Sequence, residues 1–303
     1  MRVQMIINPG AGRGRGMAAA QSAEVEFHLA GWRTDLRVTS GPGDATAIAR
    51  AAAGRYDLIA ACGGDGTLCE VLNGTQASDT PVAFIPAGTG NDFGRTLGLP
   101  PTPREAARQV VAGQPRRLDL MRLDAPPLAA INVIGIGFDA AVAARMNRGA
   151  RLGGGAWPYL AAVMAELARL RPVKLRLWVD GEAWAGEALL VAIANAQSYG
   201  GGMRIAPEAC VDDGLLDVVV VEPLGRVEFL RTLPRVFKGT HVRHPAVSCR
   251  RGREIIVESD APAPVMVDGD LRATTPLRVT VAPGAAHLWL PVTPSGGGRP
   301  TRR

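Results

Sequence analysis

The sequence predicts an α/β N-terminal domain followed by a C-terminal antiparallel β-sandwich domain. In the first part of the chain, short apolar runs alternate with helical patterns and glycine-rich loops, which is typical of a parallel sheet covered by helices. After Arg117, many short apolar or alternating segments are separated by turn residues, as in an antiparallel sandwich. At 303 residues the chain is long enough for two domains. We place them at residues 1–118 and 119–290, followed by a disordered basic tail at residues 291–303.

The composition favours anionic partners. The net charge is +6, which suits nucleotide phosphates, an acidic membrane surface or nucleic acid. The arginines are scattered and only 5% of the residues are aromatic, which argues against nucleic acid. We find neither a signal peptide nor an apolar run of about 18 residues that would span a bilayer. The four cysteines (Cys62, Cys69, Cys210 and Cys249) lack the spacing of a metal site.

The stretch from Tyr56 to Asn73 combines a strand, a glycine turn and the start of a helix. Asp57–Cys62 is a short apolar run, Gly63–Gly66 turns sharply, and the apolar spacing from Thr67 onward predicts a helix. Backbone N–H groups at a helix start, together with the helix dipole, bind anions such as phosphate. Asp65 would repel a bare phosphate, so we expect a bridging Mg²⁺ or a hydroxyl whose proton Asp65 takes. An ordinary tight turn with a helix cap is the structural alternative.

Two further glycine loops follow predicted strands. The strand Val3–Ile7 leads into Asn8–Gly16, which contains four glycines and two arginines but lacks the GK[ST] ending of a Walker A loop. The strand Pro81–Ile85 leads into Pro86–Arg95. Because ligands bind at the carboxyl ends of strands in an open parallel sheet, we expect the three loops to converge on one ligand. Three unrelated connections are the alternative.

Five motifs, in this order along the chain, resemble those of the diacylglycerol kinase catalytic-domain family. They are Asn8-Pro9-x-x-Gly12, Gly63-Gly64-Asp65-Gly66-Thr67, Pro86-x-Gly88-Thr89-x-Asn91-Asp92-Phe93, Asp212-Asp213-Gly214-x-x-Asp217 and Asp268-Gly269-Asp270. The chain looks most similar to the bacterial lipid kinase branch, which also resembles sphingosine and ceramide kinases. The resemblance implies an NAD kinase/diacylglycerol kinase-like α/β domain, a β-sandwich domain that takes the acceptor, ATP and Mg²⁺ as cofactors, and a lipid substrate.

By position, the resemblance implies a nucleotide site formed by the glycine loops. Its residues would be Asn8, Pro9, Gly10, Ala11, Gly12, Thr39, Gly63, Gly64, Asp65, Gly66, Thr67, Leu68, Cys69, Gly88, Thr89, Asn91 and Asp92. Asp65, a candidate catalytic residue, and Asp92 would lie near the catalytic Mg²⁺, and Asp119 would enter from the domain boundary. The family often has Asn where this chain has Cys69, so one polar contact beside the nucleotide is lost.

The resemblance also implies a general base and a second metal site. The family's proposed base is usually the Glu of Asp-Gly-Glu; this chain has Asp270 at that position, and Asp268 is the second candidate. Asp reaches about 1 Å less far than Glu, and a misplacement of that size can lower a rate about 10²-fold. Asp213, with the backbone carbonyls of Cys210 and Leu215, resembles a structural Mg²⁺ site, since oxygen ligands suit that ion. Plain turns are the alternative at both places.

The implied reaction is transfer of the γ-phosphate of ATP to a hydroxyl of a lipid such as diacylglycerol. The lipid chains need an apolar groove, which we place beside Ile131–Phe138 and a helix at Ala156–Leu167. The side chains at its edge would be Trp157, Tyr159 and Met164. Core packing is the alternative for each of the three.

We expect the protein to be cytoplasmic and peripheral to the membrane, docking on an anionic bilayer through its arginines without a lipid anchor. A homodimer is compatible with the sequence, and we expect no nucleic-acid partner. Two other functions stay open. An NAD kinase-like kinase of a soluble acceptor would share Gly63–Thr67, and a non-catalytic nucleotide- or lipid-binding regulator would accommodate Cys69 and Asp270.

Overall fold

The computed structural model describes residues 1–149, 156–167 and 171–292. Within these ranges the chain forms two compact units. The first comprises residues 1–117 together with the chain from Ala286 onward, and the second comprises Leu118–Ala285. Residues 293–303 of the predicted tail lie outside the described residues. In the described part of the chain, no helix has the length and apolar character needed to cross a membrane.

A parallel sheet forms the centre of the first unit. Its strands, in spatial order, are β2 (Arg33–Val38), β1 (Arg2–Ile7), β3 (Leu58–Gly63) and β4 (Val82–Pro86). All three pairings are parallel, so the carboxyl ends of the four strands lie at one edge. β3 and β4 are buried along their whole length, as expected of central strands of a covered parallel sheet.

Helices alternate with these strands along the chain. They are α1 (Ala11–Gly14), α2 (Gly16–Leu29), α3 (Asp44–Ala52), α4 (Asp65–Thr75), α5 (Asp92–Thr96) and α6 (Pro103–Val111). Phe27 of α2 and Val110 of α6 pack with sheet residues such as Met5 and Ile85 in one apolar core. The alternation of strand and helix confirms the predicted α/β class of the N-terminal part.

Two antiparallel sheets form the second unit. One has the order β12 (Val247–Gly252), β11 (Leu216–Val221), β10 (Leu190–Ala194), β7 (Val133–Gly137), β14 (Pro264–Val267) and β15 (Asp270–Thr274). The other contains β16 (Leu277–Pro291), β13 (Glu254–Ser259), β8 (Val173–Val179) and β9 (Glu182–Ala188), with β5 (Gly113–Leu123) beside β16 and β6 (Leu128–Ala130) beside β5. Leu, Ile and Val side chains from both sheets form one core, which confirms the predicted antiparallel sandwich.

Three helices of the described ranges cover the outer face of the six-stranded sheet. They are α7 (Phe138–Gly149), α8 (Ala156–Leu167) and α9 (Arg226–Phe237), and a 3₁₀ turn follows at Thr240–Arg243. Phe138, Val163 and Phe229, one from each helix, pack together. The sequence pattern predicts a helix over Arg226–Phe237, and α9 has these bounds. α7 is a helix that the sequence interpretation did not include.

The last strand, β16, takes part in both units. Its first part pairs antiparallel with β13, with Leu277 opposite Val257, and its end pairs parallel with β4, with Leu288 opposite Val82. The sequence pattern predicts two strands in this segment, Leu277–Val281 and His287–Leu290. The structure has one strand of 15 residues there.

Candidate functional site

The loops that follow β1, β3 and β4 meet at the carboxyl edge of the parallel sheet. The Asn8 N–H donates to the Cys62 carbonyl at 3.0 Å, and the Asn8 Nδ2 donates to the Thr67 Oγ1 at 3.2 Å. The Ala87 N–H donates to the Gly63 carbonyl at 2.7 Å. These contacts join the first loop to the second and the second to the third.

Two glycines allow the loops to approach this closely. Gly12 has a φ of +56°, and a β-carbon there would lie 2.2 Å from the Ala87 carbonyl oxygen. A β-carbon on Gly88 would lie 2.6 Å from the Gly64 α-carbon. Since any larger residue would collide with backbone at both positions, glycine is required by the contact and not only by the turn.

Asp65 links the second loop to the third. It begins α4, and its Oδ2 and Oδ1 accept the backbone N–H groups of Asp92 and Phe93 at 2.8 and 3.0 Å. These are the first N–H groups of α5, which carries no capping side chain of its own. The carboxylate of Asp65 therefore stabilises the start of α5.

Asp92 and Asp65 both border Gly90. An ideal β-carbon on Gly90 would lie 3.3 Å from the Asp92 Oδ2 and 3.7 Å from the Asp65 Oδ2. Asp92 is buried, and its Oδ1 pairs with Arg95 at 2.9 Å. Two carboxylate oxygens beside a residue without a side chain are a donor set that fits Mg²⁺, which prefers oxygen ligands and binds through one or two carboxylates plus phosphates.

The other predicted nucleotide-site residues lie on or next to the same edge. Asn8 Oδ1 accepts the Gly10 N–H at 3.0 Å, so the first loop closes on its own side chain. Thr39 follows β2, and its N–H donates to the Ile7 carbonyl at 2.9 Å. Asn91 Oδ1 accepts the Gly88 N–H at 3.0 Å, and Thr89 is exposed between them.

Two of the predicted nucleotide-site residues are engaged within the protein. Leu68 is fully buried, and its N–H is bonded to the Gly64 carbonyl at 3.1 Å, so the residue packs in the core and offers neither group to a ligand. Cys69 is half-buried and accepts a hydrogen bond from Asn73 Nδ2, both at its carbonyl and at its sulfur.

The two acidic candidates for the general base have different surroundings. Asp268 lies in the turn between β14 and β15 and accepts the N–H groups of Ile131 and Asn132 at 2.8 Å and that of Val133 at 3.1 Å. This gives Asp268 a structural role, contrary to its selection as second candidate base. Asp270 is half-exposed, and its Oδ2 pairs with Arg272 at 2.8 Å.

In the predicted second Mg²⁺ site, both carboxylate oxygens of Asp213 have partners within the protein. The Asp213 Oδ2 is bonded to Arg251 at 2.5 Å, and its Oδ1 accepts the Leu215 N–H at 3.1 Å. The permanent positive charge of Arg251 therefore lies beside one oxygen of this carboxylate. Cys210 points its sulfur at Asp212, 3.0 Å from Oδ1. Across residues 1–149, 156–167 and 171–292 there is no cluster of three or more His, Cys, Asp or Glu residues able to hold a metal.

Asp119, expected near the catalytic metal, anchors backbone within the second unit. Its two carboxylate oxygens accept the N–H groups of Gly284 and Gly214 at 2.8 and 2.7 Å. Asp119 is buried. It therefore holds β16 and the loop before β11 together.

The second unit also contains an apolar cavity of about 60 Å³ between the six-stranded sheet and the helices α7, α8 and α9. Its apolar lining includes Phe138, Val163, Leu190, Val221, Phe229 and Val236. Phe138 and Val163 belong to the two segments beside which the sequence interpretation placed a lipid groove. Met164 is 44% exposed and is not among the lining residues, and the side chains of Trp157 and Tyr159 lie outside the described residues.

Polar groups line one part of this cavity. Burial raises the pKa of Asp139 to about 7, although a hydrogen bond of 2.5 Å from the Tyr199 hydroxyl acts in the opposite direction. His241 is 2% exposed, and its Nε2 lies 3.0 Å from the Ile205 carbonyl, which only accepts. Nε2 therefore carries the proton, and Nδ1 is a buried acceptor with no partner among the described residues.

Burial also lowers the pKa of His241, which keeps the ring neutral. Asp139, Tyr199 and His241 belong to no motif, and the sequence interpretation did not include them. They come from a helix, a loop and a 3₁₀ turn that are distant in the chain. No local sequence pattern could have identified them as one group.

Comparison with known proteins agrees with this architecture. The family model described as “Diacylglycerol kinase catalytic domain” matches residues 2–123, and the model described as “YegS C-terminal NAD kinase beta sandwich-like domain” matches residues 132–290. A relative named diacylglycerol kinase, from Mycobacterium tuberculosis, is 36% identical over 296 residues, covering 96% of this chain and 95% of that protein.

Two further similarities extend over nearly the full length. A relative named “Probable lipid kinase YegS-like”, from Stenotrophomonas maltophilia, is 31% identical over 301 residues, covering 96% of both proteins. A crystal structure described as a diacylglycerol kinase from Bacillus anthracis superposes with a TM-score of 0.74 at 25% identity, covering 97% of each chain. The matches span both units of the present structure.

Proposed function

Because this chain belongs to the family of diacylglycerol kinases and YegS-like lipid kinases, we propose that it is an ATP-dependent lipid kinase acting on a lipid alcohol such as diacylglycerol. The observation that carries the proposal is the convergence of three glycine loops, with Asp65 and Asp92 on either side of Gly90. The names of the relatives support the lipid as the class of acceptor.

In the proposed site, the loops bind the triphosphate of ATP. The starts of α2 and α4 present backbone N–H groups, which attract phosphate oxygens. Asp65 and Asp92 would hold Mg²⁺, which neutralises charge on the phosphates during transfer. Arg95 already pairs with Asp92 and would contribute further positive charge.

In the proposed reaction, Asp270 accepts the proton of the lipid hydroxyl. The hydroxyl oxygen forms a bond to the γ-phosphorus as the bond to the oxygen bridging the β- and γ-phosphates breaks. ADP leaves with that electron pair. The half-exposed carboxylate of Asp270 supports this role, because it pairs with the neighbouring Arg272 at the surface, whereas Asp268 is bonded to three backbone N–H groups.

The apolar cavity of the second unit is the proposed site for a lipid chain end. It is smaller than an engineered cavity of about 150 Å³ that binds benzene, so it would take only a few methylene groups without movement of the helices. The unpaired Nδ1 of His241 would accept a hydrogen bond from a hydroxyl or a bound water there.

The test is transfer of radiolabelled phosphate from ATP to a panel of lipids in mixed micelles. We expect labelled phosphatidic acid or a related product with the wild type and at least a 10²-fold lower rate with Asp65→Ala. A parallel reaction with NAD and no detergent tests a soluble acceptor. Labelled NAD phosphate with no labelled lipid would replace this proposal by the soluble-acceptor alternative, and nucleotide binding without any turnover would favour a regulator.

A further inference from the structure

Helix α9 has an exposed apolar face as well as a buried one. Its residues Val227, Leu230, Pro234 and Phe237, here called the α9 stripe, are all exposed, with Val227 at 62% and Phe237 at 51%. They are spaced i, i+3, i+7 and i+10, so they form one line along the helix. Large apolar side chains in one exposed line indicate an interaction surface more strongly than scattered ones do.

Basic residues border the α9 stripe. Arg231, Arg235 and Lys238, here called the basic flank, are exposed and follow stripe residues by one position. The chain from Arg226 to Arg243 contains five basic residues and one acidic residue. That acidic residue, Glu228, lies 3.2 Å from His244. The surface therefore combines apolar side chains with a local excess of positive charge.

The opposite face of α9 covers the apolar cavity. Phe229, Thr232, Leu233 and Val236 line that cavity, on the side of the helix turned away from the α9 stripe. One helix of 12 residues therefore separates the exposed stripe from the cavity proposed to receive a lipid chain. A lipid that approached the stripe would be one helix diameter, about 10 Å, from that cavity.

We propose that α9 is the surface by which this protein docks on an anionic lipid bilayer. The inference rests on the proposed lipid kinase function, because that function makes a lipid the substrate. The α9 stripe enters the boundary between headgroups and acyl chains, and the basic flank binds lipid phosphates. A helix with this combination lies in the plane of the membrane interface. The charge of the surface selects the bilayer over a second copy of the chain, because two α9 surfaces would bring like charges together.

The experiment measures binding of the full chain to vesicles in the absence of ATP. Vesicles contain either phosphatidylcholine alone or equal parts of phosphatidylcholine and phosphatidylglycerol. We expect the wild type to sediment with the anionic vesicles, to bind phosphatidylcholine much more weakly, and to dissociate as salt rises.

Two variants test the two components of the surface. The stripe variant carries Val227→Ser, Leu230→Ser and Phe237→Ser, and we expect at least tenfold weaker binding. The flank variant carries Arg231→Gln, Arg235→Gln and Lys238→Gln. Each removed charge weakens binding about fivefold, so the expected loss is on the order of a hundredfold.

Matched controls lie on the first unit. Val25→Ser with Leu29→Ser removes exposed apolar side chains from α2, and Arg50→Gln with Arg55→Gln removes exposed charges. We expect both controls to bind like the wild type. Equal binding of the wild type, stripe and flank proteins would overturn the docking proposal, as would a stripe variant that only converts a dimer into a monomer in sedimentation velocity.

A separate assay keeps the two proposals apart. Phosphorylation of a short-chain, water-soluble diacylglycerol needs no bilayer, so the stripe and flank variants should retain wild-type turnover of it. Vesicle binding that depends on α9 without turnover of any lipid would reject the kinase function and keep the docking surface. Turnover without such binding would reject the docking surface alone.

Discussion

Asp268 and Asp270 lie two positions apart in the chain, but their side chains make different contacts. Asp268 accepts three backbone N–H groups before and at the start of β7, whereas Asp270 pairs with Arg272 at a half-exposed position. The Asp-Gly-Asp motif could be found in the sequence. The different roles of its two carboxylates could not, because these roles depend on which backbone groups the turn between β14 and β15 approaches.

We therefore predict that two amide substitutions affect different properties, one the activity and the other the stability. Asp270→Asn should lower lipid phosphorylation at least 10²-fold while leaving the urea midpoint unchanged, because the removed charge is half-exposed. Asp268→Asn should lower the free energy of unfolding by about 1–3 kcal/mol, because an amide cannot accept from all three N–H groups. Asp270→Glu should retain activity. An inactive and unstable Asp270→Asn protein would contradict this assignment.

Asp139 should make stability depend on pH. Its pKa is about 7 in the folded protein against 3.8 as the ordinary value, because burial disfavours the charged form. Between those values the folded state holds one proton more than the unfolded state, so the free energy of unfolding falls as pH rises, by about 1.4 kcal/mol per unit. Above pH 7 this contribution is constant.

Asp139→Asn should remove that slope, since the amide oxygen still accepts from Tyr199 and no longer titrates. The measurement is urea unfolding at several pH values from 4 to 8, with the exposed Asp260→Asn as control. Burial also raises the pKa of Asp217, to about 6, so the wild type retains a second slope of the same sign. The prediction therefore concerns the difference in unfolding free energy between the wild type and Asp139→Asn. It would be contradicted if the two plots of unfolding free energy against pH were parallel.

The elements that the sequence predicted well are those with a strong local pattern. β1, β3 and β4 are short apolar runs that end in glycine loops, and their parallel order follows from the helices between them. α7 was missed even though Phe138, Val142 and Met146 have helical spacing, because it begins directly after β7 with no separating turn segment. The cavity could not be predicted, since its lining comes from helices, strands and loops that are distant in the chain.

The first glycine loop offers a test at the scale of one element. Gly12 and Gly14 both have a positive φ, but only a β-carbon on Gly12 would meet backbone, at 2.2 Å from the Ala87 carbonyl oxygen. Gly12→Ala should therefore separate the first and third loops and weaken MgATP binding at least tenfold. Gly14→Ala places a side chain at a positive φ in the same way but without the collision. Its MgATP affinity should therefore stay within about twofold of that of the wild type. Isothermal titration calorimetry measures the MgATP affinity of both variants. Equal losses of affinity would show that backbone conformation alone matters.

At the scale of the whole molecule, the first unit is not a continuous stretch of sequence. Leu288 and Leu290 of β16 are buried in it, and Trp289 Nε1 donates to the Val110 carbonyl of α6 at 2.8 Å. The chain thus leaves the first unit at residue 117, forms the sandwich, and returns. Sequence patterns identify an apolar strand near residue 288, but they do not identify the sheet to which a terminal strand returns.

Leu288→Ala tests how far the nucleotide-binding unit depends on this returning strand. Truncating a fully buried leucine should lower the free energy of unfolding by about 2–5 kcal/mol. Leu29→Ala, at a position that is 75% exposed, is the matched control and should change it by less than about 0.5 kcal/mol. Because Leu288 pairs opposite Val82 in the strand that carries the third glycine loop, MgATP affinity should fall with stability. Unchanged stability in the variant would mean that residues 1–117 form a self-sufficient nucleotide domain, and that the C-terminal strand only adds to its edge.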